Sequence, residues 1–126
     1  AQRETPRILA ARSAEADAGL DEALDALLAH YEQDGEMILN FIAQEQLFEP
    51  IRTAVEHGRR IHREWVERHC ADILADSEGA ERRRLLHAAI AATDLYTWKL
   101  LRRDLGLELP EVAAVIRQLL QGLERR

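Results

Sequence analysis

The stretch TDLYTWKLLRRDLGLELPEV, residues 93–112, sets a tryptophan, a string of leucines and the cations Lys99, Arg102 and Arg103 side by side. Its spacing predicts a helix over 80–104 with apolar residues around more than half its circumference, among them Leu85, Leu86, Ala89, Ile90, Leu95, Trp98 and Leu101. Gly106 is a natural stop, and Pro110 with Glu111 restarts a last helix banded by Val112, Val115, Ile116, Leu119, Leu120 and Leu123. One core needs a single stripe from each helix, so two adjacent helices with wider bands predict a second apolar surface. The expectation is that one side closes the chain's own core while the other packs on a second copy. Leu86, Ile90, Trp98, Leu101, Val112, Ile116, Leu119 and Leu123 would form the seam, with the three cations on its rim. Two helices from each copy would make a four-helix bundle of two-fold symmetry.

Upstream, the same three-and-four spacing recurs. Leu20, Ala23, Leu24, Leu27, Leu28 and Tyr31 form one stripe, which Gly35 is expected to end. A short second helix would carry Met37, Ile38, Phe41 and Ile42 until Pro50, whose ring disfavours helical angles at Glu49. Pro50 itself suits the first turn of a third helix, which would run from Ile51 through His62, Trp65 and His69 to Ile73. Ser77 is placed to cap the next start. The sum is an all-α antiparallel bundle of five to six helices in one domain spanning 1–126. Residues 1–19 would be a connecting helix and loop, interrupted at Pro6.

Composition limits what such a bundle can do. A formal charge of −6 repels phosphate backbones, and the arginine runs at 59–63 and 82–84 are interleaved with acids such as Glu64 and Glu81. DNA binding through this chain alone is not expected. The single cysteine, Cys70, excludes an internal disulfide and agrees with a reducing compartment, so a cytoplasmic location is expected. No apolar run approaches the ~20 residues of a membrane span, and membrane association is not expected. The opening segment AQRETPRILAARSAEAD has no clear entry into a core, and the chain is expected to be the far end of something longer.

Enzyme signatures are missing from the sequence. There is no His-Glu-x-x-His, no Glu-x-x-His pair, no glycine-rich phosphate loop and no Ser-His-Asp set that can be placed together. His62 and His69 lie seven apart with Cys70 adjacent, but no two histidines stand at the four-residue spacing that chelates on a helix. Neither catalysis nor a metal nor a cofactor is expected. Phe41, Trp65 and Tyr96 come from three helices, with Met37, Gln44 and His62 near them on the same predicted faces. Apolar walls with a few polar groups are what a ligand cavity between helices requires, though each of these residues taken singly reads first as ordinary core. Asp94, between Ile90 and Trp98, needs a hydrogen-bond partner or a place at the rim.

The stretches YEQDGEMILNFIAQE, GRRIHREWVERHCADIL and TDLYTWKLLRRDLGLELPEVAAVIRQLLQGL resemble, in order and with similar gaps, the C-terminal domain of TetR-family transcriptional regulators. The likeness covers most of the chain from about Leu20 onward. It implies a homodimer through the last two helices. It also implies a small apolar or amphipathic effector among the preceding ones, held by Met37, Phe41, Gln44, His62, Trp65 and Tyr96. Nothing here matches the family's helix-turn-helix, so operator DNA would be reached only through a domain missing from this chain. The rival expectation is a purely structural helical dimer or protein-interaction module without a ligand.

Overall fold

The structure, a computed structural model, describes residues 5–124, with side chains placed from residue 19 onward. The regular elements among the described residues are all helices: α1 Thr5–Ala43, α2 Glu49–His69, α3 Ala71–Leu74, α4 Gly79–Thr93, α5 Leu95–Lys99, a π-helical turn Leu100–Asp104, and α6 Leu109–Glu124. Residues 1–4 of the expected connecting segment lie outside the described residues. From Thr5 the backbone is helical through Pro6, which stands in the first turn, where its missing N–H removes no intrahelical bond.

Gly35 does not end a helix. α1 runs through it unbroken, which joins the two helices expected over 20–42 into one of 39 residues. The glycine is there for a close approach: a Cβ built on it would lie 2.7 Å from Cζ3 and 2.9 Å from Cη2 of Trp98. Trp98 is fully buried in this notch, its ring tilted against Tyr31 at 6.1 Å. Its indole N–H donates to Glu32 Oε2 at 2.7 Å. Arg102 reaches the same carboxylate at 3.2 Å and donates to the Leu107 carbonyl at 3.0 Å. Arg103 lies over the Trp98 ring and pairs with Glu36 at 2.8 Å, while Lys99 pairs locally with Asp104. Two of the three cations of the tryptophan stretch, Arg102 and Arg103, therefore fasten the π-helical turn to α1.

The helix expected over 80–104 is broken once, at Asp94, and widens to a π-helical turn from Leu100. Asp94 alone separates α4, which ends at Thr93, from α5, and its backbone is extended there (φ −69°, ψ 155°). The freed carbonyls find partners: Tyr31 Oη donates to Thr93 O at 2.9 Å, and the Thr97 hydroxyl donates to Ala91 O. Asp94 restarts the chain as an N-cap, its Oδ2 accepting the Tyr96 N–H at 2.9 Å. After α5 the ladder widens, with Leu105 N–H donating to Leu100 O, and Gly106 closes it at φ +70°. Likewise the long third helix breaks at Cys70 into α2 and α3. Ser77 caps nothing: its hydroxyl donates back to Leu74 O, and the N-cap position of α4 is Glu78.

The core is assembled from Leu24 and Leu28 of α1, Val66 of α2, Ile73 and Leu74 of α3, and the inner faces of α4, α5 and α6. This settles where the wide apolar bands go. Leu86, Trp98, Leu101, Val112 and Ile116, expected at a seam, are buried in the chain's own core. Because the break at Asp94 redirects the chain and the wider turn from Leu100 shifts its phase, successive parts of one wide band face different neighbours. Ile90 turns toward a groove and Leu123 packs partly on the core. Of the eight, Leu119 alone is exposed, at 48%.

Candidate functional site

A groove of about 380 Å³ lies between the C-terminal half of α1, the length of α2 and the α4–α5 junction. Its location follows from side-chain size. Ala54 and Gly58 of α2 face it, and where they stand neither chain segment can fill the gap between helices. The walls are apolar: Ile38, Phe41 and Ile42 from α1, Val55 and Ile61 from α2, Ile90 from α4. Phe41 and Ile61 are exposed at 42% and 52% and border the side open to solvent.

Trp65 and His62 form the α2 wall, their rings stacked at 5.7 Å and 19°, and His69 continues the ladder one turn on at 5.1 Å from Trp65. At the deep end His62 meets the helix break. The Thr93 hydroxyl donates to Ala89 O at 2.8 Å, so the oxygen is free to accept from His62 Nε2–H at 3.0 Å. Burial pushes the His62 pKa down, only partly opposed by the nearby Asp94 carboxylate and a backbone contact at Ile90. The imidazole is therefore neutral at pH 7. Burial, seconded by Asp94, drives the Tyr31 hydroxyl far above its ordinary range, which keeps it a permanent donor to Thr93 O.

Two charged groups line the groove besides the histidines. Arg59 is held in a two-pronged pair with Glu45, at 2.8 and 2.9 Å. That pairing raises the guanidinium's pKa and lowers the carboxyl's. It also ties the turn after α1 to the middle of α2. Asp94 is half-buried, spends Oδ2 on the Tyr96 N–H, and among the described residues is salt-bridged to no cation.

Of the six residues expected to hold a ligand, the structure brings together Phe41, His62 and Trp65. Met37 and Tyr96 are exposed, at 50% and 52%, and Gln44 sits in the surface turn after α1, so none of the three lines the groove. Met37, one turn before Phe41 on α1, stands on the solvent side of that helix and contributes nothing to the wall that Ile38 and Phe41 form. Tyr96 is displaced because the break at Asp94 resets the register of α5. Val55, Gly58 and Asp94 were missed as lining residues. For the first two the signal was available in the periodicity of α2; for Asp94 it was the one charge in an apolar run.

Elsewhere chemistry is sparse. Cys70 is buried, and burial with the nearby Glu124 pushes its thiol up to about 11, which suppresses the reactive thiolate. Among the described residues no group of three or more His, Cys, Asp or Glu side chains is placed to hold a metal ion, and no helix is long and apolar enough to cross a membrane. A second hollow of about 320 Å³ lies between α1 and α6, bordered by Arg117, which pairs with Asp21 and Asp25. No protein-family model, curated protein or solved structure matches the chain.

Proposed function

We propose that this chain is a small-molecule-sensing helical module of the kind its sequence resembles, the effector domain of a TetR-like transcriptional regulator. The observation that carries the reading is the groove: apolar walls from three directions, a small number of polar groups at one end, and a volume suited to a compact ligand. The floor of the groove is the α4–α5 junction, whose next turn is clamped to α1 through Trp98 and Glu32. A ligand that favours one setting of that junction would bias the position of α1 by its differential affinity, the only means by which binding can shift an equilibrium. Operator DNA would be held by a helix-turn-helix domain outside this chain. Two copies would meet about Leu119 on the outer face of α6, a narrower seam than the sequence suggests.

The two tryptophans supply the test, since Trp65 lines the groove and Trp98 lies in the core. Titration of the neutral amphiphile N-phenyl-1-naphthylamine, followed by the indole N–H signals in heteronuclear NMR, is expected to shift Trp65 with saturation. A Val55→Trp substitution, which fills the groove, should abolish that response. An unmoved Trp65 at saturating probe would leave a purely structural module as the better reading.

A further inference from the structure

We propose that the groove selects lipophilic organic cations, holding the charged centre at the Asp94 carboxylate and the apolar arms against Trp65 and Phe41. The inference rests on the groove being a ligand site and adds the chemical class of the ligand. Its basis is the charge balance of the lining. Arg59 feels Asp94 electrostatically, but its guanidinium is bound by both oxygens of Glu45 and makes no ion pair with Asp94. His62 is neutral at pH 7, with its Nε2–H spent on Thr93. His30, at the groove's edge, is turned to Asp34 at 3.2 Å. What remains is one negative charge, half-withdrawn from water at the end of an apolar channel. A carboxylate in that position attracts a cation more strongly than one in bulk solvent does, because the local dielectric is lower. Aromatic faces add to the attraction for a cation and offer nothing comparable to an anion. A lipophilic anion would meet the same carboxylate as a repulsion.

The geometry also supplies a clean perturbation. Asn caps helices as well as Asp does, so Asp94→Asn removes the charge while keeping the acceptor for the Tyr96 N–H. The test compares tetraphenylphosphonium with tetraphenylborate, which share shape and apolar surface and differ in charge, by isothermal calorimetry and by the Trp65 N–H shift. The cation is expected to bind and the anion to bind at least tenfold more weakly, on the order of one charge pair near a protein surface. Asp94→Asn should lose about tenfold in affinity for the cation while its affinity for N-phenyl-1-naphthylamine and its melting temperature stay unchanged. Asp72→Asn, on the exposed face of α3, serves as the control for general attraction to an acidic protein and should change nothing. Equal binding of cation and anion, or an Asp94→Asn protein that keeps full affinity for the cation, would overturn the proposal even with the neutral probe bound. Failure of all three probes to move Trp65 would instead remove the ligand site itself.

Discussion

At the scale of single residues, the most consequential position is one without a side chain. Glycine inside an exposed helix costs about 1 kcal/mol relative to alanine, so Gly58, with open space around its missing Cβ, should become Ala with a gain of roughly 0.5–1 kcal/mol. Gly35 should behave the opposite way. Its Cβ would meet a rigid, fully buried ring at 2.7 Å, and overpacking of that kind costs about 1–3 kcal/mol. Urea unfolding of Gly35→Ala and Gly58→Ala is therefore expected to give changes of opposite sign. A stabilised Gly35→Ala would mean that Trp98 is not seated as described. The sequence offered Gly35 as a stop because glycine serves both purposes, ending helices and admitting close neighbours. Only the partner Trp98, 63 positions away, decides between them.

Glu32 is the second such residue. It accepts from the Trp98 indole and from Arg102, and replacing it by Ala would strand a buried N–H donor. A loss of about 1–3 kcal/mol is expected, with a changed environment for Trp98 visible in near-ultraviolet circular dichroism. Removal of the exposed partner Asp104 from Lys99 should by contrast cost under about 1 kcal/mol.

At the scale of elements, the sequence made the helical class and most boundaries legible. Pro50 and Pro110 open α2 and α6 within their first turns, and Gly106 closes the π-helical turn at positive φ. The break at Asp94 was not legible, because Thr and Asp inside an apolar periodic run read as an imperfect stripe. What breaks the helix is tertiary: Tyr31, from α1, takes up the Thr93 carbonyl, and Thr93 binds back to Ala89 while holding His62. The width of the apolar band has the same cause, since a band read on one straight helix is divided between neighbours within the chain once the helix is interrupted at Asp94. Asp94→Ala should accordingly loosen α5 by about 1 kcal/mol, the usual worth of an N-cap, whereas Asp94→Asn leaves it intact. Amide hydrogen exchange at Tyr96 and Thr97 would report the difference.

At the scale of the whole molecule, stability should depend on pH through its partly buried imidazoles. Burial lowers the pKa of both His62 and His69, with Arg68 adding to the effect at His69. Above about pH 6.5 neither folded nor unfolded chain protonates them and stability is full. Below it, the unfolded chain takes up protons that the folded one refuses, so stability falls until the depressed folded values are reached. Melting temperature is expected to hold steady from pH 8 to 7 and to decline below 6.5. His62→Gln, which retains a donor for Thr93, should flatten part of that decline. A profile unchanged by His62→Gln would mean that the imidazole is not desolvated in the fold.

One further property follows from the Arg59–Glu45 pair, which buckles the turn after α1 onto α2 from the solvent side. Fastenings of this sort are weakened by dissolved ions, because surface charge attraction fades as the Debye length shrinks to about 3 Å at 1 M salt, whereas the oily partition beneath them is not. Brine should therefore ease passage into the hollow while leaving the hydrophobic centre of the bundle intact, so that uptake of an uncharged guest quickens as ionic strength climbs.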